Sequence, residues 1–264
     1  MDIESTFGTG RPVVGVVHLP PLPGAPRFDG DREAVHERAL ADARALAAGG
    51  ADGLIVENYG DVPFYPDDVP AHVVAEMTAV AAEIDAGLPV GVNVLRNDAA
   101  AALSVAHAAG GAFVRANVHT GIQATDQGLV EGQAHDTLRL RDRLDADVAI
   151  LADVAVKHAA PLAARPLRAA VRETVERGLA DGVIVSGPAT GEPADTADLR
   201  TAADACADLD VPLFVGSGVT ADNASELLAV ADGAIVGTAL KAGGETAGPV
   251  DERRVRRVVA AVEE

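Results

Sequence analysis

The chain has 264 residues, is 48% hydrophobic by composition and carries a formal net charge of −19 at pH 7. This length and this apolar content are sufficient for one large globular domain with a full core. The acidic balance and the absence of tryptophan argue against binding to nucleic acid or to an anionic membrane, because both need clustered cations.

Lysine is almost absent from the charged residues. Asp and Glu number 40 against 21 Lys and Arg, and the only lysines are Lys157 and Lys241. An acidic, lysine-poor surface is typical of proteins that stay soluble in concentrated salt, where repulsion between carboxylates is screened. We therefore expect a halophilic protein, and an ordinary acidic cytosolic protein is the alternative.

The sequence favours a cytoplasmic location. Its single cysteine, Cys206, cannot form an internal disulfide and is expected to be a small buried residue. The first ten residues lack the basic and apolar blocks of a signal peptide, and no apolar run approaches the ~18 residues of a membrane span. No membrane span is therefore predicted.

Short β-branched runs alternate with alanine-rich amphipathic runs along the whole chain. The predicted strands cover residues 13–19, 53–58, 90–95, 112–118, 148–154, 182–186, 212–216 and 233–236. The predicted helices cover residues 31–48, 71–86, 98–109, 137–144, 166–177, 196–209, 221–230 and 250–262. Eight such units with continuously apolar strands predict a (β/α)8 TIM barrel, one domain over residues 1–264, in preference to a doubly wound open sheet.

Two connecting segments are long enough to close over a site. Residues 20–30 form a proline-rich loop, and residues 119–136 form a polar stretch without clear periodicity. Loops of this length in compact domains commonly serve as lids or binding loops. We expect both to cover the mouth of the barrel.

Polar residues collect at the carboxyl ends of the predicted strands, where the active site of such a barrel lies. They include His18, Glu57, Asn93, Arg115, Asn117 and Asp153, with Lys157 and His158 shortly after the fifth strand. The period of two along a strand places Arg115 and Asn117 on one face, and we expect that face to point into the mouth.

Glycine-rich turns follow the seventh and eighth predicted strands. Ser217 and Gly218 lie in the first turn, Gly237 and Thr238 lie in the second, and Lys241 comes shortly afterwards. Glycine lets backbone N–H groups approach an anion, and phosphate sites of TIM barrels sit at these two positions. We predict a phosphate site here, with Lys241 beside it; the alternative is that these glycines only turn tight corners.

The residues at the other side of the mouth are compatible with several kinds of chemistry. Lys157, with Asp153 as its expected partner, could form a Schiff base, transfer a proton or hold an oxyanion. His18 is a further catalytic candidate, and Arg115, Asn93, Asn117 and Glu57 would orient the substrate. No cofactor is predicted, although carboxylates and histidines at strand ends could together hold a divalent metal.

Several motifs resemble one known family over nearly the whole chain. The clearest are HLPPLPG, FVRANVHTG, DVAVKH and FVGSGVTADNASELL. They are similar to the BtpA family, which takes its name from a photosystem I biogenesis factor and includes SgcQ-like proteins. The resemblance implies a (β/α)8 barrel and a role in protein assembly or in small-molecule metabolism, and it carries over no catalytic residue.

Three functions follow from these patterns. The first is an enzyme that acts on a small phosphorylated metabolite by isomerase- or aldolase-like proton transfer. The second is a non-catalytic assembly factor that presents the proline-rich loop to a partner. The third is a metal-dependent hydrolase. A homo-oligomer is expected in each case, because barrels commonly pair through their outer helices.

Overall fold

A closed barrel of parallel strands organises the chain. The computed structural model describes residues 1–155, 159–163, 165–187 and 189–263. Its strands are β1 (Val13–His18), β2 (Gly53–Glu57), β3 (Val90–Asn93), β4 (Phe113–Ala116), β5 (Ile122–Thr125), β6 (Gly128–Glu131), β7 (Ala149–Ala155), β8 (Ala159–Pro161), β9 (Gly182–Val185), β10 (Leu213–Val215) and β11 (Gly233–Val236). The described barrel runs β1–β2–β3–β4–β7–β9–β10–β11 and closes through parallel pairing of β11 with β1.

Helices cover the outside of this barrel. They are α1 (Ile3–Phe7), α2 (Arg32–Ala48), α3 (Ala71–Glu83), α4 (Ala99–Ala109), α5 (Ala134–Arg143), α6 (Leu167–Arg172), α7 (Thr196–Leu209), α8 (Ala224–Leu228) and α9 (Glu252–Glu263). A π-helical turn, Glu173–Arg177, extends α6, and two short 3-10 turns, Thr238–Leu240 and Ala242–Gly244, follow β11. The predicted (β/α)8 barrel is confirmed, and the eight predicted strands are its eight barrel strands.

Aspartates begin several of the outer helices. The carboxylates of Asp31, Asp98 and Asp195 accept hydrogen bonds from backbone N–H groups in the first turns of α2, α4 and α7. Each cap satisfies donors that the helix itself leaves unpaired. The caps therefore fix where the chain leaves the barrel mouth and turns back along its outside.

The barrel interior is filled by a few large side chains that occupy the space left by glycines. A Cβ on Gly91 would lie 2.2 Å from Phe113 Cε2, and one on Gly233 would lie 2.5 Å from Phe214 Cε1. Both rings are fully buried. The glycines are therefore required because an aromatic ring from the neighbouring strand lies against their backbone.

The short helix α1, which the strand and helix pattern did not predict, closes the amino-terminal end of the barrel. Its Phe7 ring lies 5.6 Å from the ring of Phe113 and 6.2 Å from that of Phe214, in edge-to-face geometry. A Cβ on Gly53 would lie 2.8 Å from the same Phe7 ring. Phe7 therefore completes the bottom layer of the interior core.

Aspartates at the amino ends of the strands hold neighbouring strands in register. Asp52 Oδ2 accepts from the Val13 N–H, and Asp232 Oδ2 accepts from the Leu213 N–H, each at 2.8 Å. Asp181 Oδ2 accepts from the Ile150 N–H at the same distance. These residues stabilise the end of the barrel opposite the mouth, so their polar contacts serve the fold.

The polar stretch 119–136 folds into a hairpin of β5 and β6, and β8 pairs with β5 to make a three-stranded antiparallel sheet. The hairpin follows β4 in the chain, and β8, the third strand of this sheet, comes after β7. It replaces the unstructured loop expected from the sequence, since short strands with Gly128 at φ 109° form a tight turn that periodicity alone does not show.

The structure also bears on the single cysteine and on membrane spans. Cys206 is buried on α7, as predicted, and burial raises the pKa of its thiol to about 12. In the described part of the chain, no helix has both the length and the apolar character needed to cross a membrane.

Candidate functional site

The carboxyl ends of the barrel strands carry a layer of inward-facing polar residues and glycines. Its members are His18, Glu57, Asn93, Arg115, Asp153, Ser186, Gly216 and Gly237. The polar members lie on one side of the layer and the two glycines lie on the other. The mouth therefore has a side built from side chains and a side built from backbone.

A buried ion pair joins β4 to β7. Arg115 Nε donates to Asp153 Oδ2 at 2.8 Å, and Arg115 Nη2 donates to Asp153 Oδ1 at 2.9 Å. Asn117 Nδ2 also donates to Oδ2 at 3.2 Å, and the Ser186 hydroxyl donates to Oδ1 at 3.3 Å. Burial lowers the pKa of Arg115, but attraction to Asp153 outweighs it and leaves that pKa raised.

These contacts bear on the predicted partner of Asp153. The sequence predicted Lys157 as the partner of Asp153, and this stays a prediction; among the described residues, the Asp153 carboxylate accepts from Arg115, Asn117 and Ser186. Lys157 and His158 lie outside the described residues. Arg115 and Asn117, predicted to share a face, both turn towards Asp153.

A second buried group lies on β1, β2 and β3. Asn93 Nδ2 donates to Glu57 Oε2 at 2.7 Å, and His18 Nε2 lies 3.6 Å from Glu57 Oε1. His18 Nδ1 donates to the carbonyl oxygen of Thr246 at 3.1 Å, and its ring packs against that of Tyr59. The imidazole of His18 and the carboxylate of Glu57 are thus held side by side in this polar layer, by contacts from three strands and from the segment after β11.

Arg96, which follows β3, adds a second cation to the mouth. It is buried, and its charge interacts with those of Asp153, Arg115 and Glu57. Burial lowers its pKa, repulsion by Arg115 adds to this, and the two carboxylates oppose it. The described mouth therefore balances two guanidinium groups against two carboxylates.

The glycine side of the mouth forms a cavity of about 140 Å³. Residues 216–220 and 237–239 line it, together with His18, Glu57 and Arg115. Gly218 has φ +69°, and a Cβ there would lie 2.3 Å from the backbone of Pro193, so this turn needs glycine. We call this cavity, with residues 216–220 and 237–239, the cradle.

Hydroxyl groups of the cradle are used within the protein. Ser217 Oγ accepts from the Gly187 N–H at 2.7 Å and donates to the Glu192 carbonyl at 2.9 Å. Thr238 Oγ1 lies 2.8 Å from Thr246 Oγ1. Backbone groups are therefore the main resource that the cradle offers to an anion, and Ser217 ties together the turns after β9 and β10.

Lys241 lies away from the cradle, which corrects its predicted place beside the phosphate. It is fully buried, and its Nζ lies 3.4 Å from Asp42 Oδ2 on α2. Asp42 Oδ1 also accepts from the Val250 N–H at 2.8 Å and from Arg38 Nε at 3.1 Å. Lys241 was misplaced because the 3-10 turn after β11 directs it towards α2, a geometry that spacing does not reveal.

Among the residues that the structure describes, no group of three or more His, Cys, Asp and Glu side chains is arranged so that it could hold a metal ion. His119, which follows β4, donates from Nε2 to the Gly178 carbonyl at 2.8 Å, and burial lowers its pKa. It serves to hold the chain after β4 against the π-helical turn.

The proline-rich loop is tied to the barrel. Leu22 is fully buried, its N–H donates to Asp61 Oδ1 at 2.8 Å, and the backbone of Gly60 packs directly on Pro20 and Pro21. The loop therefore buries Leu22 and is anchored to the barrel, while residues 26–27 and 29–30 stay exposed.

Comparison with known proteins places the chain in a family. The sequence profile of the BtpA family matches residues 9–264. The chain is 50% identical over 266 residues to the photosystem I biogenesis protein BtpA of Synechocystis, covering all of this chain and 92% of that protein.

Solved structures share the fold at low sequence identity. Thiamine phosphate pyrophosphorylase from Pyrococcus furiosus superposes with a TM-score of 0.57 at 14% identity, over 96% of each chain. N-(5′-phosphoribosyl)anthranilate isomerase from the same organism superposes with a TM-score of 0.56 at 13% identity, over 96% of this chain and 99% of that one. At these identities the likeness shows the barrel fold alone.

Proposed function

The chain belongs to the BtpA family, and we propose that it is an enzyme acting on a small phosphorylated metabolite. The observation that carries this proposal is the composition of one cavity. The cradle and the His18–Glu57 pair line the same space of about 140 Å³. A phosphate in the cradle would thus leave the adjoining carbon atoms next to an imidazole and a carboxylate.

Electrostatics and shape support a phosphate in this place. Arg115 lines the cradle and keeps its charge, since attraction to Asp153 raises its pKa. Glycines at 216, 218 and 237 leave the backbone accessible where a side chain would collide with its neighbours. Backbone amides and a guanidinium together make a site suited to an oxyanion.

The chemistry that fits best is proton transfer beside a carbonyl, as in an isomerase or an aldolase. His18 and Glu57 would move the proton, because they are buried, adjacent and fixed in orientation. Asp153, held by Arg115, would fix the substrate's polar groups with Asn93 and Asn117. Lys157, which follows β7 in the sequence, would supply the amine or the cation that the reaction requires.

Binding of inorganic phosphate tests the cradle. Ala239 lines the cavity, so Ala239→Asp would place a carboxylate beside the anion. We expect isothermal titration to show at least about tenfold weaker phosphate binding, equivalent to about 1.4 kcal/mol. Ala207→Asp makes the same change on the exposed face of α7 and should bind as the wild type does. Equal affinity in all three proteins would refute the phosphate site.

Turnover tests the catalytic side. A collection of phosphorylated sugars and nucleotide-derived esters would be screened for loss or isomerisation by mass spectrometry. For any substrate found, Lys157→Ala and His18→Gln should each reduce kcat strongly while phosphate affinity is retained. If both variants turned the substrate over at the wild-type rate, the proposed roles of these residues would be wrong.

A non-catalytic assembly role is the second candidate. The relative from Synechocystis is named a photosystem I biogenesis protein. In this chain, Leu129 and Leu162 expose 58% and 62% of their surface at the small sheet of β5, β6 and β8. Paired Leu→Glu substitutions there should abolish recovery of a partner from cell extract. If neither the wild type nor the variant recovered a partner, and phosphate bound in the cradle, the result would support the enzymatic function.

A further inference from the structure

A second recess lies on the far side of the Arg115–Asp153 pair from the cradle. It has a volume of about 670 Å³ and runs between the small sheet, α6 and the turn after β9. Its described lining includes Asn117, Asp153 and Ser186 at the inner end, and Ala170, Asp195 and Asp198 further out. We call it the groove.

The cradle and the groove share one wall. Arg115 lines the cradle, and Asp153 and Ser186, its partners at 2.8–3.3 Å, line the groove. The hydroxyl of Ser217 in the cradle accepts from the N–H of Gly187 in the groove. A ligand long enough to extend beyond these residues would therefore have one end in the cradle and the other in the groove.

The two spaces differ in charge. The described lining of the groove includes the carboxylates of Asp153, Glu173, Asp195 and Asp198 against the guanidinium of Arg165, which pairs with Glu173. Among the described lining residues carboxylates outnumber guanidinium groups, which disfavours a second phosphate or a carboxylate in the groove and favours a neutral or cationic group.

The described lining of the groove also offers an unused hydrogen-bond acceptor. Asn117 is 2% exposed, and its Oδ1 has no hydrogen-bond partner among the described residues. A buried amide oxygen without a partner costs free energy, so a ligand that donates to it is favoured. The inner end of the groove therefore selects O–H or N–H donors.

From these observations we propose that the groove is a second subsite, which binds the far end of a monophosphate ligand. That end is uncharged or cationic and carries hydroxyl or amino donors. This inference rests on the proposed phosphate site, and it narrows the substrate class to phosphorylated polyols or amino sugars and their N-linked derivatives. Bisphosphates and phosphorylated acids should gain no affinity from this subsite.

Four probes of graded chemistry test the subsite by isothermal titration. They are inorganic phosphate, glucose 6-phosphate, glucosamine 6-phosphate and 6-phosphogluconate, which differ in whether the far end is missing, neutral, cationic or anionic. The two sugar phosphates should bind at least about tenfold more tightly than inorganic phosphate, and 6-phosphogluconate should not. Equal binding of all four, or tightest binding of 6-phosphogluconate, would overturn the proposal.

A matched pair of variants shows where the additional affinity of the sugar phosphates arises. Ala170 lines the groove, whereas Ala169 on the same helix is exposed. Ala170→Trp should remove the gain of the sugar phosphates and leave inorganic phosphate unchanged, and Ala169→Trp should retain both. A gain that survives Ala170→Trp would place the far end elsewhere. Loss of inorganic phosphate binding in the wild type would instead refute the cradle, so the two failures are distinguishable.

Discussion

Arg115 and Asp153 form a bidentate ion pair at the barrel mouth, with nitrogen–oxygen distances of 2.8 and 2.9 Å. The pair joins β4 to β7 through side chains, where the two strands already pair in parallel. Both side chains are almost completely buried, so neither charge is stabilised by bulk water. The fold and the proposed site therefore depend on the same contact.

Replacing Arg115 should destabilise the protein severely. Arg115→Met removes the cation and leaves the buried carboxylate of Asp153 with Asn117 and Ser186 as its donors among the described residues. Breaking one side of a buried pair costs about 3–5 kcal/mol. Urea unfolding followed by circular dichroism measures the loss in unfolding free energy.

An exposed pair provides the control for this experiment. Arg168 bonds Asp208 between α6 and α7, with 48% and 51% of the two side chains exposed. Arg168→Met should cost less than about 1 kcal/mol, because solvent screens exposed pairs. If both substitutions had the same small effect, the Arg115–Asp153 pair would not hold the mouth together.

Filling the interior at Gly91 should also destabilise the barrel. In Gly91→Ala the new methyl group would lie 2.2 Å from Phe113 Cε2, so the ring or the strand must move. Overpacking of this kind costs about 1–3 kcal/mol. Thermal unfolding should show a lower Tm, whereas Gly10→Ala, whose Cβ would meet nothing within 4 Å, should leave it nearly unchanged. A Tm unchanged in both variants would contradict the described packing.

Strand order and the location of the mouth could be predicted because they follow from local patterns. Continuous apolar runs marked every barrel strand, and polar residues such as His18 and Asp153 marked the strand ends. Helix α1 could not be predicted in this way, since five residues give too short a period to recognise. Its role depends on Phe7 meeting rings from β4 and β10, which are distant in sequence.

Side-chain partners within the mouth were less predictable than its location. Spacing put Arg115 and Asn117 on one face, but it could not show that Arg115 takes both oxygens of Asp153. It also could not show that Lys241 turns to Asp42, because that depends on how the turn after β11 packs on α2. Such contacts join side chains on different strands and helices, so they depend on how these elements pack against one another. Sequence periodicity shows only which residues share a face of one element.

The buried lysine should make stability depend on alkaline pH. Burial lowers the pKa of Lys241 from 10.5 to about 8, although Asp42 opposes the shift. Between these values the unfolded chain binds a proton that the folded chain has lost, so unfolding free energy rises with pH across that window. The full difference corresponds to about 3 kcal/mol.

Urea unfolding at pH 7.5 and pH 10 measures this dependence, with Lys241→Met as the comparison. The wild type should gain roughly 2 kcal/mol relative to the variant between the two pH values. The thiol of Cys206, whose pKa burial raises to about 12, is present in both proteins and cancels in the difference. Parallel pH dependence of wild type and variant would show that Lys241 keeps its proton throughout.

The acidic surface should make the protein more stable in concentrated salt. With a net charge of −19, carboxylates repel one another over distances that salt screens. The Debye length falls from about 10 Å at 0.1 M to about 3 Å at 1 M, so Tm should rise between 0.1 and 2 M KCl.

A variant with fewer surface carboxylates provides the control. Four carboxylates exposed on outer helices would be replaced jointly by Gln or Asn, namely Glu33, Glu37, Asp204 and Glu226, and this should make the rise in Tm shallower. A Tm independent of KCl in the wild type would contradict salt adaptation. A rise of equal slope in the variant would assign the effect to stronger apolar burial instead of charge screening.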